Sequence, residues 1–344
     1  MQRIIVALFF LISSNLLFCE IVGVLPELLK PDMITVSGNR LYSIEGAKIY
    51  IYSLNDVKLI KRFGRVGEGP GEMAAGDIDS NELSVYSNNI VVRDGKKCLY
   101  FSMDGKYIKE KKMLWPPSGL LYLNSNFIGV KHLNDTMKNG RYDITLNIFD
   151  KDMKIIKELY RQNFLLQVDK KNNMIPDSIN YCIYKDKIYV EKSLKGFMIE
   201  IYDFKGNSLY TIKKEIKKNK ITKEYINKTI KRYKNDPIAK LLGVKKFEKK
   251  MYFPKYFPRI KNIMVNEDRI YVKTFKTKKD KEEYIIMELD GKIIKKVFLP
   301  ETIKPKLVDL MKGNCGTFYF FKDNKFYYLK ENENEKWELH VELF

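Results

Sequence analysis

Along the chain, apolar and polar positions form a two-strand phrase that keeps returning: a polar turn, a short apolar run, a spacer, a second run, then a tight turn around Asp-Gly or Asn. It reads Arg40-Leu41-Tyr42-Ser43-Ile44 then Lys48-Ile49-Tyr50-Ile51-Tyr52, and Asn89-Ile90-Val91-Val92 then Cys98-Leu99-Tyr100-Phe101. It returns at Lys187-Ile188-Tyr189-Val190, at Arg269-Ile270-Tyr271-Val272 and at Phe318-Tyr319-Phe320, with a weaker copy from Asn126 to Phe149. These copies make six units with a period of roughly 50 residues, which points to a radial array of small antiparallel sheets that cannot bury their faces alone. Several runs are apolar almost without alternation, as sheets covered on both faces require.

The units are expected at 32–72, 78–113, 118–161, 178–214, 258–299 and 307–344. Hairpins such as Met103-Asp104-Gly105-Lys106 and Leu289-Asp290-Gly291-Lys292 end the second halves, with Gly supplying the positive φ that tight turns need. A Lys-rich outer strand follows each, and Lys on an edge discourages edge-to-edge pairing. The sixth unit has only three strands of its own. Glu20 to Val24 is expected to supply the fourth, pairing with Trp337 to Val341 and closing the ring. The fold class is therefore all-β, a six-bladed propeller.

One segment breaks the pattern. Residues 213–255 hold 16 basic and 4 acidic residues without strand alternation. Ile226, Ile230 and Tyr233 share one helical face there, and Pro237 to Gly243 could form a second helix. This predicts a helical insertion, about 215–252, between blades four and five. Its opposite face shows Lys223, Lys228, Lys231 and Lys234, suited to an anionic surface such as phospholipid headgroups or an acidic polysaccharide.

The 344 residues carry a formal net charge of +20, and 53 of the 63 basic residues are Lys, which reads as a solvated coat and not as a nucleic-acid footprint. The amino terminus, Met1-Gln2-Arg3 and then an apolar run from Ile4 to Phe18, is short for a membrane span and suits an export signal over residues 1–19. The remainder, 20–344, is read as one domain and a monomer, placed in the periplasm or at the cell surface. Cys19 stands where a lipoprotein signal would place its modified cysteine, and cleavage after Cys19 or an uncleaved anchor are the alternatives. Cys98, Cys182 and Cys315 are read as free thiols within strands, and His132 and His340 as neither zinc ligands nor general bases.

Two stretches carry a family resemblance. Phe63-Gly64-Arg65-Val66-Gly67-Glu68-Gly69-Pro70-Gly71-Glu72-Met73 resembles the Gly-x-Gly-Pro-Gly-Glu loop after the first blade of the six-bladed, NHL-repeat-like propellers abundant in Bacteroidetes and often lipoproteins. Tyr256-Phe257-Pro258-Arg259-Ile260-Lys261-Asn262-Ile263 is similar to the Pro-x-Ile segment that opens the blade after that family's helical insertion. The resemblance implies the fold and no common activity.

The Gly-rich loop lacks the Lys-Ser/Thr of a phosphate-binding P-loop. It reads as a tight interblade connection on the face where propellers bind. Arg65, Glu68, Gly69, Gly71, Glu72 and Arg259 are the candidate contacts for a protein, glycan or small ligand. Lactonase-like propellers suggest an alternative, a calcium-dependent hydrolase whose central ion would be held by oxygen ligands from among Glu72, Asp77, Asp177, Asn262 and Asp309.

Overall fold

The computed structural model describes residues 19–74, 81–86, 88–95, 97–113, 117–138, 141–165, 172–175, 179–192, 195–235, 251–302 and 318–344. Residues 1–18 of the leader, the Pro237 to Gly243 segment and Cys315 lie outside them.

Six four-stranded antiparallel sheets follow one another along the chain. Blade one comprises Met33–Ser37, Arg40–Glu45, Lys48–Ser53 and Leu59–Phe63. Blade two comprises Glu82–Tyr86, Asn89–Asp94, Lys97–Ser102 and Tyr107–Lys112. Blade three comprises Ser118–Leu123, Asn126–Lys138, Arg141–Phe149 and Ile155–Leu165. Blade four comprises Tyr181–Tyr184, Lys187–Glu191, Phe197–Asp203 and Ser208–Lys214. Blade five comprises Asn262–Asn266, Arg269–Lys278, Lys281–Glu288 and Ile293–Pro300. Blade six takes Tyr319–Lys322, Lys325–Glu331 and Trp337–Leu343 from the carboxy terminus and its outer strand, Cys19–Leu25, from the start of the described chain. The closing register places Glu20 opposite Val341, Ile21 opposite His340 and Leu25 opposite Trp337. The ring thus closes where the pattern of strands called for a fourth partner.

The reason for the unbroken apolar runs is visible in the packing. Six apolar clusters fill the junctions between neighbouring blades, one at each junction. Successive residues of a strand point to opposite faces. Tyr50 and Tyr52 therefore enter the junction with blade six, while Ile49 and Ile51 enter the junction with blade two. Tyr52, Ile49 and Ile51 are all 0–1% exposed. Burying an aliphatic side chain of this kind contributes about 1.5–3 kcal/mol before entropy is counted.

Alternation of strand direction sorts the connections. Each blade's first strand lies at the centre and its fourth at the periphery, so every connection between blades falls on one face of the ring and every hairpin turn inside the outer strand pair falls on the other. Among the described residues, the connections from blade three to four and from four to five carry a ladder and a helix. Helix α1, Lys223–Asn235, lies between blades four and five. It starts after Thr222, whose hydroxyl accepts the amide of Tyr225 at 3.2 Å, the usual arrangement of an N-cap. Asn172–Asn173, on the connection from blade three to four, forms a short parallel ladder with Met251–Tyr252. Of the expected docking residues Ile226, Ile230 and Tyr233, Ile226 enters the packing, and the Tyr233 side chain lies outside the described residues. Tyr225 and Ile226 pack on Ile175, Ile221, Phe253, Phe257 and Phe275, giving a small apolar cap of its own. The target is aromatic: Tyr225 meets Phe257 edge-on at 4.8 Å, and Phe257 stacks on Phe275 at 4.7 Å.

Candidate functional site

The first strands of all six blades line a central channel of about 650 Å³. Its wall is mostly apolar, with Leu83, Leu121, Ile183, Val265 and Phe320 among the lining residues. Polar groups gather where those strands begin, on the face that bears the interblade connections. Asn262 opens the first strand of blade five, accepts the Ile263 amide through Oδ1 at 2.8 Å, and reaches Tyr319 OH of blade six with Nδ2 at 3.5 Å. Glu82 opens blade two. Its Oε1 lies 3.3 Å from Arg93 Nη1, and its Oε2 accepts the Gly119 amide of blade three at 2.7 Å.

Blades four and five hold a buried ionic network behind Asn262, and none of its charged residues lines the channel. Glu282, 2% exposed, pairs with Lys261 and with Lys273, whose Nζ is 2.5 Å from Oε2. Burial alone would push the Glu282 carboxyl up, but the Lys273 and Lys261 ammonium groups outweigh it, and the net effect is downward. The Lys273 ammonium also sits 5.1 Å above the Tyr319 ring and 5.6 Å from that of Tyr284. Burial pushes the Tyr319 phenol up to about 12. Thr274 donates to Glu283 at 3.0 Å, and Lys276 pairs with the other oxygen of Glu283 at 2.9 Å. On blade four, Asn180 donates to Glu191 at 2.9 Å and to the Lys261 carbonyl at 3.3 Å, which joins the two blades. Lys192 pairs with Glu200 and donates to Tyr202 OH at 3.0 Å. His132, on blade three, has its pKa pushed down by burial and then by Arg93.

None of these network residues except Asn262 was among the candidates read from sequence. The signal that could have found them is a charge set inside an otherwise apolar strand, as in Tyr271-Val272-Lys273-Thr274-Phe275 and Glu282-Glu283-Tyr284-Ile285. In a chain this rich in Lys that signal is weak.

The Gly-rich loop has a different place and a different task. It folds back through a bridge between Val66 and Met73. Glu72 Oε1 is 2.7 Å from Arg65 Nε, and Glu72 Oε2 accepts the Gly69 amide at 2.8 Å. A Cβ on Gly67 would lie 2.0 Å from Glu72 Oε2, and one on Gly71 would lie 3.0 Å from the Tyr107 ring. The cradle that resembled an anion site therefore holds the loop's own carboxylate. Lys97 ties the loop to blade two, donating to the Gly69 carbonyl at 3.2 Å and to Glu110 at 3.1 Å. These partners are on the two outer strands of blade two, so Glu72 is not at the channel. Glu82, and not Glu72, begins the channel strand of that blade.

Arg65 and Glu68 are exposed. Arg65 lines a groove of about 290 Å³ with Leu29, Lys48, Tyr50 and Val66 at the edge of blade one. Arg259 is half-buried on the connection into blade five, on a different blade from the loop. Asp77, Asp177 and Asp309 lie outside the described residues. Among the described residues, no group of three His, Cys, Asp or Glu side chains could hold a metal ion. The four helix lysines, Lys223, Lys228, Lys231 and Lys234, are all exposed on the face of α1 away from the cap.

The fold is that of a six-bladed β-propeller. A candidate exported protein of Bacteroides fragilis NCTC 9343 superposes with a TM-score of 0.54 at 13% identity, over 96% of this chain and 95% of that one. The U3-55K structure follows at a TM-score of 0.47 and 9% identity, over 95% and 98% of the two chains. BamB from Moraxella catarrhalis reaches 0.32 at 10% identity, over 90% of this chain and 71% of that one. No family model and no curated protein matches the sequence.

Proposed function

We propose that the chain is an exported cell-envelope propeller of the NHL-like group, acting as a binding module whose ligand or partner sits on the face bearing the interblade connections. The observation that supports this most is the 650 Å³ channel, whose apolar wall carries Glu82, Asn262 and Tyr319 where its strands begin, with the buried network Glu191–Asn180–Lys261–Glu282–Lys273 held behind them. Such a mouth combines an apolar well with a few fixed polar groups, the usual composition of a small-molecule site. The Gly-x-Gly-Pro-Gly-Glu loop supports membership of the group, and the Bacteroides fragilis neighbour is in keeping with export.

The four exposed helix lysines give the same face an anionic partner. Replacing all four with Gln should abolish low-salt binding to acidic polysaccharide while leaving the melting temperature within experimental error, because exposed charges contribute little to folding. Wild-type protein that ignores acidic polymers at low salt would remove this part of the reading.

The alternative is a calcium-dependent hydrolase, in which Asn262 would be joined by carboxylates from outside the described residues. Elemental analysis of purified protein separates the two. One tightly held calcium per chain would overturn the binding-only reading, and a metal-free protein that retains its fold would end the alternative.

A further inference from the structure

The outer strands of five blades share one irregularity. In each, a β-bulge inserts one extra residue directly after the position that pairs with the end of the third strand. The extra residues are Ile60, Ile108, Ile156, Leu209 and Ile294. Every one is aliphatic, and they are 51%, 50%, 54%, 47% and 41% exposed. Four of the five stand in a repeated phrase: Lys58-Leu59-Ile60-Lys61, Lys106-Tyr107-Ile108-Lys109, Lys154-Ile155-Ile156-Lys157 and Lys292-Ile293-Ile294-Lys295. Bulges and lysines on an edge strand are explained by the need to stop edge-to-edge pairing. That need does not explain the aliphatic residue, since a polar one at the bulge would guard the edge better.

The bulges occupy equivalent places. The row Val36–Leu41–Tyr52–Leu59 across blade one corresponds to Val85–Ile90–Phe101–Tyr107 across blade two and to Val265–Ile270–Met287–Ile293 across blade five. In blade six the same row runs Phe321–Phe326–Glu342–Cys19. The five bulged residues therefore sit at one level around the propeller, on the rim formed by the outer hairpins. The described chain enters that same level at Cys19.

We infer that this rim is a docking surface for an anionic phospholipid membrane. An extended flat surface can meet five equivalent positions around a ring together, whereas a second copy docking at an edge would meet one or two blades. Aliphatic side chains reaching the boundary of headgroups and acyl chains, with Lys ammonium groups beside them at the phosphates, is the chemistry of a peripheral membrane contact. The apolar run Ile4 to Phe18 ends at Cys19. An acyl chain on Cys19, or the run itself if retained, would thus leave the molecule from this rim. A single acyl chain alone binds weakly, and a second signal such as this rim makes the attachment stable. With the rim on the membrane, the channel mouth and the cap face away from it.

The test compares the protein as isolated with a variant in which Ile60, Ile108, Ile156, Leu209 and Ile294 are all replaced by Ser. Both carry the same amino terminus, so any anchor there is common to the two. Partition onto phosphatidylcholine vesicles containing phosphatidylglycerol should fall by about 100-fold or more in the variant, given the apolar area removed. A second measurement needs no multiple variant: an environment-sensitive dye at Ile108→Cys should shift on vesicle addition, while the same dye at Glu333→Cys, exposed on the opposite face, should not. The inference is overturned if the Ser variant partitions like wild type, if the dye on the opposite face responds and the rim dye does not, or if the Ser variant changes self-association and leaves partition unchanged.

Discussion

Glu72 turns its carboxylate back into the loop that carries it, with Oε2 2.8 Å from the amide nitrogen of Gly69. Gly67 must lack a side chain for this to happen, because a Cβ there would fall 2.0 Å from the same oxygen. Gly67→Ala and Glu72→Gln should therefore each lower stability by about 1–3 kcal/mol, the cost of a disrupted, partly buried polar contact. Arg65→Ala should cost less than about 1 kcal/mol, since its side chain is 78% exposed. Denaturant unfolding of the three variants checks the ordering, and an equal loss in all three would contradict it.

Closure of the ring rests on Trp337–Leu343, which is paired on one side with Lys325–Glu331 and on the other with Cys19–Leu25. Removing Trp337 to Phe344 should leave both neighbours unpaired and abolish cooperative unfolding. A milder probe is Leu339→Ala. Leu339 is 0% exposed in the junction between blades six and one, and its truncation should cost about 2–5 kcal/mol. A truncated protein with the wild-type melting temperature would show that the two ends are not joined in this way.

Glu282 gives the fold an acid-sensitive element. Its folded-state pKa is lower than the ordinary value of 4.5, so the folded chain holds this proton less tightly than the unfolded chain does. Its contribution is fully present above the ordinary value and is lost as pH falls through 4.5 towards the lower folded value. Glu282→Gln leaves Lys273 buried without its charge partner and should cost about 3 kcal/mol at neutral pH. Melting temperatures of wild type and variant should converge as pH drops below that ordinary value. A gap that stays constant down to acid unfolding would assign Glu282 no such part.

The thiol of Cys98 should be inert in the native state. It is fully buried, and burial pushes it up to about 12, with the Arg93 charge opposing. Peptide mapping after brief alkylation at mildly basic pH should find Cys98 unmodified in folded protein and modified after denaturation, whereas Cys182, half-buried on the channel wall, should label sooner than Cys98. Fast native labelling of Cys98 would mean that the junction between blades two and three opens readily.

The ring was legible because a blade is local: runs such as Ile49 to Tyr52, flanked by turn residues, state both their strand and their two buried faces. The helix was legible from charge and spacing, and Ile226 of its expected face does dock, but the part played by Tyr225 was not legible because its aromatic targets Phe257 and Phe275 come from other segments. The ladder between Asn172–Asn173 and Met251–Tyr252 pairs segments far apart in sequence, and two residues a side leave no pattern to read. Glu72 attracted notice for its Gly-rich surroundings, yet its partner is the loop itself. Lys273 and Glu282 drew none, since a Lys or Glu inside a strand becomes special only when the fold removes its water.

The clasp between Cys19–Leu25 and Trp337–Leu343 also sets an order of events. The strand Cys19–Leu25 is made first and must wait, unpaired at the edge of a sheet that does not yet exist, until Trp337–Leu343 has been made. Contacts this distant in sequence form slowly, and until they do the molecule is an open arc with two raw edges. During synthesis, and during any passage across a membrane, it is an unfinished circle that depends on Trp337–Leu343 to stop being one.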